Sequence, residues 1–405
     1  MTEALGTRGS PRRRNRLRIV DVLRRSGSAS RVELIRATGL SRTTVSKLVA
    51  ELQADGLVVE HPAPGEGSAV GRPPMALSLT PAAGTAVGID FGHAFVRVAV
   101  ADLSGTVHAE AKRDFDVDHD SAAAIDVAVE MVDEVLGRAG MSLERTVGVG
   151  VAVSAPVVRG RAERGEHILP GWPAFAPVEE LEQRLGRPVL IDNDANLGAL
   201  AEVRDGAGRG ADAVLYVMLS AGIGAGLVLG GQLVRGHRGL TGELGHVVVD
   251  PGGAICRCGN RGCLETVAAA PALLGTLRPL HGDDVTLHDA IDLARAGDEG
   301  SRRLFVDAGR AVGRAAGAVC NVFNPDLVIV GGDMVLAGDV LVDAVRAGIA
   351  EATIPAIRDD ARVVSARLGD RAEVLGAIGL VLAETDTSAI LGVVNGADPA
   401  RGAAA

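Results

Sequence analysis

Gly242 to Glu265 reads GELGHVVVDPGGAICRCGNRGCLE and gathers three of the chain's four cysteines within eight positions. Little in it repeats with helical spacing, and its glycines allow sharp turns. His246, Cys256, Cys258 and Cys263 are four soft ligands close enough in sequence to converge on one ion. Three thiolates and an imidazole make a closed tetrahedral zinc site with no position left for an activated water. Such a metal is structural and not a Lewis acid. It would pin a loop whose flanking carboxylates, Glu243 and Glu265, are held toward a ligand. The plainer reading, buried free cysteines beside an incidental histidine, fits the short spacing and the glycine punctuation less well.

Around this loop the chain runs to 405 residues, too long for one ordinary core, so two or three domains are expected. Hydrophobic residues make up 47%, as in a globular protein. The net charge of −10 hides an asymmetry: residues 1–80 carry 13 Lys and Arg against 7 Asp and Glu, so the remainder is strongly acidic. A basic end on an acidic body fits a nucleic-acid-binding module joined to something that does not bind nucleic acid. Arg12, Arg13 and Arg14 taken alone would be only a solvated basic tail. The arginine-rich start leads into an amphipathic segment, so no signal peptide is read, and no run has the length and apolarity of a membrane span. Reduced thiols and no membrane partner make the expected location cytoplasmic.

Three short helices and a hairpin are predicted first. Leu17, Ile19, Val20, Val22 and Leu23 follow helical spacing from Asn15 to Arg25, and Ser26-Gly27 ends the pattern. A second helix over 31–38 points Val32, Leu34 and Ile35 inward and closes on Gly39 as a left-handed cap. Ser41 caps a third, whose Val45, Leu48, Val49 and Leu52 share one face. Ser41, Arg42, Thr43, Thr44, Ser46 and Lys47 lie at or near its exposed N-terminal end, where the second helix of a helix-turn-helix meets bases and phosphates. Strands over 57–59 and 75–79 bracket a Gly/Pro-rich wing with Arg72 near its tip, suited to the minor groove. A protein-interaction domain is the alternative, and the basic balance and wing arginine favour double-stranded DNA.

Beyond Pro81 strands alternate with helices, which predicts an α/β body. The strand over 189–191 delivers Asp192-Asn193-Asp194-Ala195-Asn196 at its carboxyl end, where open α/β sheets place ligands. Asn193, Asp194 and Asn196 offer the donors and acceptors that a polyhydroxylated ligand needs. Helix capping is the plainer role there, and it is assigned to Asn196 or Asp192 before Asp194. Gly222, Gly224 and Gly226, and Gly331-Gly332, follow strands and read as turns open to a phosphate or simply as connections. Cys320 reads as core packing, and His93 as a turn residue in preference to a gained ligand-binding group.

GELGH, the spaced CxCGxxGCLE and the IDNDAN segment together resemble the ROK family of sugar kinases and transcriptional repressors, and the winged helix with its GRPP resembles the repressor branch. The likeness covers the chain from about Asn15 to Thr385. It implies an actin-like, ribonuclease-H-like body of two α/β lobes around a cleft. It also implies sugar contacts at Asn193, Asp194, Glu243, His246 and Glu265, with His246 serving metal and sugar alike. In family kinases the residue at Asp194 is the general base. The Asp-x-Gly-Gly-Thr usual in their first phosphate loop is here Asp90-Phe91-Gly92-His93-Ala94, and the Gly-Thr-Gly of the second is Ser220-Ala221-Gly222. Two threonine hydroxyls are thus missing and an imidazole stands where glycine admits phosphate, so little or no ATP use is expected. Likeness to the family also places Trp172 near the sugar cleft.

The expected protein is therefore a sugar-responsive repressor of carbohydrate genes. It binds operator DNA as a homodimer or homotetramer and carries structural Zn2+. A hexose kinase with a DNA-binding head is the alternative. The expected division is a winged helix-turn-helix over 1–80, a first lobe over 81–200 completed by a helix at 373–386, a second lobe over 201–372 with the zinc motif, and a mobile tail over 387–405.

Overall fold

The computed structural model describes residues 11–62, 75–80, 83–158, 160–162, 177–360 and 362–385. Arg72, Trp172 and the expected tail lie outside the described residues.

The head runs α1 (Pro11–Ser26), β1 (Ser28–Ala29), α2 (Arg31–Thr38), α3 (Arg42–Ala54), β2 (Val58–Pro62) and β3 (Met75–Leu79). Its three strands pair antiparallel in the order β1-β3-β2. Ser30 and Glu33 start α2 with a reciprocal capping box, and Gly39 ends it at φ 68°, a left-handed conformation glycine adopts freely. Ser41 caps α3 by accepting from the Thr44 amide at 3.2 Å. Val45, Leu48, Val49 and Leu52 are buried as expected. Val32 is not: it is 60% exposed while Leu34 is buried. Two residues apart, the pair is separated by about 200° around the helix, and Leu34 with Ile35 sets the inward stripe.

The body begins with β4 (Thr85–Phe91), β5 (Phe95–Asp102), β6 (Val107–Asp114), α4 (Ser121–Ala139), β7 (Thr146–Val153), the short pair β8 (Val157–Val158) and β9 (Arg161–Ala162), α5 (Pro177–Leu185), β10 (Val189–Asn193) and α6 (Asp194–Asp205). It continues with β11 (Ala213–Leu219), β12 (Ile223–Leu229), β13 (Gln232–Leu233), α7 (Glu265–Ala268), α8 (Ala270–His281), α9 (Leu287–Arg295), α10 (Glu299–Phe323), β14 (Leu327–Gly331), α11 (Asp339–Ala352), α12 (Pro355–Asp360), β15 (Arg362–Ser365) and α13 (Ala372–Glu384). Two five-stranded sheets result, ordered β10-β7-β4-β5-β6 and β13-β12-β11-β14-β15. Each has an antiparallel meander of three strands followed by two parallel additions on the side of its first strand. The chain thus builds the same sheet twice, the two-lobed actin-like plan.

The central strands are buried on both faces, which is why they read as Val, Ile and Ala runs. Cys320 is fully buried in the second-lobe core, as expected. After β15 the chain returns, and α13 packs on β4, β7 and α6. Glycine allows that return: a Cβ at Gly150 would lie 2.0 Å from the Ala377 carbonyl oxygen, and one at Gly376 would lie 2.0 Å from that of Leu197. Neither obstacle is a side chain that can swing away. Gly376→Ala is accordingly expected to cost about 1–3 kcal/mol by overpacking, read as a lower urea midpoint at unchanged slope.

Ile19, Leu23 and Leu77 of the head belong to one buried cluster with Leu103, Val147, Ile378 and Val381 of the body. Among the described residues no helix is long and apolar enough to cross a membrane.

Candidate functional site

Between β13 and α7 the chain folds into a compact knuckle. Leu244–His246 makes one 3-10 turn, Val248 bridges to Cys263, and Ile255 bridges to Arg261. The Cys256 amide donates to the Asn260 carbonyl at 2.7 Å and the Gly259 amide to the Cys256 carbonyl at 2.9 Å, which turns the chain tightly between Cys256 and Asn260. Gly262 sits at φ 72°, and a Cβ there would lie 1.5 Å from the Asp250 carbonyl oxygen. No other residue passes at that point.

The knuckle brings His246, Cys256, Cys258 and Cys263 together, with one ligand atom from each within 4.8 Å of the others. Nδ1 of His246 is 3.6 Å from the Cys256 sulfur, and the Cys258 and Cys263 sulfurs are 3.6 Å apart. A tetrahedron with zinc–sulfur bonds of about 2.3 Å has edges of about 3.8 Å, so donor set and spacing both fit a metal of that kind. The other imidazole nitrogen, Nε2, faces Glu243 Oε2 at 3.8 Å. His246 therefore turns one nitrogen to the thiols and the other to a carboxylate.

Arg257, between two cysteines, was not legible as a site residue. Its Nε lies 2.8 Å from Glu265 Oε1 and its Nη2 donates to Glu265 Oε2 at 3.3 Å. The signal that could have found it is its position inside a CxC turn, which fixes where its side chain starts. Arg257 and Glu265 also close over the β11–β12 turn, where a Cβ on Gly222 would meet Arg257 at 3.0 Å and Glu265 at 3.4 Å. Gly224 and Gly226 are not in that turn. They lie within β12 and let α6 approach, since a Cβ on them would lie 2.8 Å from Ala195 and 2.5 Å from Ala199. The reading of these two as turn residues, open to a phosphate or simply connecting strands, is corrected to helix–strand packing within β12.

The second part of the site is the start of α6. Asn193 caps the helix, accepting from the Ala195 and Asn196 amides at 3.0 and 3.4 Å, and its Nδ2 donates to the Ala155 carbonyl at 3.3 Å. The cap was expected at Asn196 or Asp192. Those two are bonded to each other at 2.8 Å, and Arg235 holds the free oxygen of Asp192 at 2.9 Å, so neither reaches the helix start. Asp194 is 8% exposed and accepts from the Ala195 amide at 2.7 Å. Burial raises its pKa, opposed by hydrogen bonds from Ser154 and the Ala195 amide. Asp90, at the end of β4, is pushed up to about 7 by burial and then by the charge of Asp194. Burial likewise raises Glu243, with Asp194 and Glu265 adding to it and His246 opposing. Asp90 and Glu243 thus both feel the charge of Asp194. A hydroxyl-rich neutral ligand is well matched to such a set of acceptors and protonatable carboxyls.

His93 lies in the turn after β4, as read from sequence, but it is not idle there. Its Nδ1 is 3.0 Å from both oxygens of Asp118, another residue with no sequence signal. In the head, Arg42, Thr43, Ser46 and Lys47 are exposed on the free face of α3, whereas Ser41 and Thr44 hydroxyls bond each other at 2.8 Å.

The pattern of the ROK family matches residues 86–384, and that of the MarR family matches 12–67. The xylose repressor of Bacillus spizizenii is 29% identical over 91% of this chain and 94% of its own length. The glucokinase of Thermotoga maritima is 32% identical over 73% of this chain and 96% of its own. Among solved structures, a ROK family transcriptional regulator described as a homolog of the E. coli MLC protein superposes with a TM-score of 0.76. It shows 26% identity over 95% of this chain and 99% of that one. A metal-ligand knuckle, a buried aspartate at the head of α6, one sheet built twice and a MarR-type winged helix in front are accounted for together: the chain belongs to the ROK family.

Proposed function

We propose that this protein is a sugar-responsive, DNA-binding transcriptional repressor of carbohydrate genes. The observation that carries the reading is length: the likeness to the xylose repressor takes in head and body, whereas the glucokinase matches only the share of the chain that the body alone would fill. On this reading residues 1–80 are the operator-binding head. The lobes over 81–200 and 201–372 hold an uncharged sugar among Asn193, Asp194, Glu243, His246 and Glu265, and the helix at 373–386 completes the first lobe. Zinc, the metal best suited to a Cys3His set, is held by His246, Cys256, Cys258 and Cys263 and keeps Glu243 and Glu265 in place. Ser41, Arg42, Thr43, Thr44, Ser46, Lys47 and Arg72 face double-stranded DNA. A homodimer or homotetramer supplies the two heads that a palindrome needs.

Induction requires the sugar to prefer the arrangement that DNA does not, by roughly 100-fold for a coupling near 3 kcal/mol. Mobility shift with operator DNA tests this. The active sugar is expected to release the complex, and Lys47→Ala to weaken it by roughly tenfold or more. Unchanged operator affinity across a sugar panel would sink the induction step.

Asp194 favours a second reading, a hexose kinase carrying a DNA-binding head, because a buried carboxylate with a raised pKa suits a general base. Both phosphate turns lack the threonine hydroxyls of family kinases, which opposes it. Coupled ADP release that disappears in Asp194→Asn would reverse the order of the two readings.

A further inference from the structure

We infer that His93, held by Asp118, is a sugar-reading residue that makes the cleft selective for a free sugar over its phosphate ester. The inference rests on the sugar-sensing reading above.

Its geometry comes from the first sheet. Phe91, Val153 and Asn193 are register partners on the adjacent parallel strands β4, β7 and β10. The segments that follow them, with His93, Ser154 and Asp194, therefore open at one sheet edge. Strands about 4.8 Å apart place β4 and β10 about 10 Å from each other, a gap that two side chains and one ligand hydroxyl can bridge. Asp118, from the segment between β6 and α4, holds Nδ1 of His93 at 3.0 Å with either oxygen. That bond fixes the ring and leaves Nε2 for a ligand.

The hydrogen bond that His93 makes to Asp118 favours the imidazolium, against the opposing effect of burial, and in that form Nε2 is an N–H donor. The charged groups that bear on it are Asp118, Asp194 and Arg257. Arg257 is already paired with Glu265. A donor on His93 and an acceptor on Asp194 suit a hydroxyl, which accepts from one and donates to the other. A phosphate dianion would instead face the carboxylates of Asp118 and Asp194 with one imidazolium to balance them.

The test uses the full chain and three probes, D-xylose, D-glucose and glucose 6-phosphate, with affinity measured by calorimetry. Wild type is expected to bind a free sugar more tightly than glucose 6-phosphate. His93→Gly is expected to lose at least tenfold for the free sugar and to narrow that preference. His93→Gln, which keeps an N–H donor, recovers part of the loss, and Asp118→Asn loses roughly threefold. A purely structural role would not move the preference between free and phosphorylated sugar. Wild type preferring glucose 6-phosphate overturns the inference, as does a His93→Gln or His93→Gly variant with unchanged affinity and preference. Wild type binding none of the three overturns the sugar-sensing reading itself, a separate outcome.

Discussion

Glu202→Ala is expected to destabilise the protein by about 2–5 kcal/mol, among the largest effects of any single side-chain truncation here. Glu202 is fully buried in α6, yet it is not a site residue. One carboxylate oxygen accepts from the Arg367 and Leu368 amides, each at 2.8 Å, and the other from the Ala207 amide at 2.6 Å. Hydrogen bonds to a charged group contribute about 1.5–3 kcal/mol each, and truncation leaves the three donors without their acceptor. Two of the three bonds span 165 and 166 residues, tying α6 to the segment that carries the chain from β15 back to α13. Glu202→Gln keeps an acceptor for Arg367 and Leu368 but turns an amide N–H2 toward the Ala207 N–H, so an intermediate loss is expected. Urea unfolding checks both variants. A Glu202→Ala protein within 0.5 kcal/mol of wild type would show that water replaces the carboxylate without cost.

Cys258→Ser, or chelation of the wild-type protein, is expected to remove the metal and to weaken sugar binding by more than tenfold. Each arm has one apolar anchor in the second-lobe core, Leu244 beside Glu243 and Leu264 beside Glu265, and the loop between them has little else. Val247, Val248, Val249 and Ile255 are 38–61% exposed, so burial of apolar surface contributes little to the loop. Glu243 and His246 lie on one arm and Arg257 and Glu265 on the other. Without an ion across Cys256, Cys258, Cys263 and His246, the loop between the anchors Leu244 and Leu264 is left with two isolated β-bridges and local hydrogen bonds. Metal content by elemental analysis and sugar affinity by calorimetry should fall together, and readdition of Zn2+ to chelated protein should restore both. Sugar affinity that survives in a metal-free variant would separate the loop from the cleft.

The motifs that sequence made legible are those whose chemistry is written in adjacent residues. His246 and the three cysteines span 18 positions and converge as expected. The helix-turn-helix follows from hydrophobic spacing and caps, each a property of a few neighbouring residues. Residues whose role depends on a distant partner were not legible. Arg257 needs Glu265 and the β11–β12 turn, Asp118 needs the turn after β4, and Glu202 needs amides 165 residues away. Gly224 and Gly226 were misread for the same reason: a glycine's sequence shows freedom, and only the opposing α6 shows what the missing Cβ makes room for. Val32 was misplaced because a helix of eight residues carries too few apolar positions to fix its phase.

The buried cluster that joins Ile19 and Leu23 to Ile378 and Val381 has a bearing on biosynthesis. The head leaves the ribosome before both lobes, and part of its seat, α13, follows them. At about 5–20 residues per second, α13 emerges on the order of tens of seconds after the head. During that interval a nascent chain carries α3 and its exposed arginine and lysine without the helix against which the head is packed. On the proposed function, a sugar in the cleft and a head on DNA can sense each other only once α13 is in place, so truncation before α13 is expected to uncouple DNA binding from the sugar.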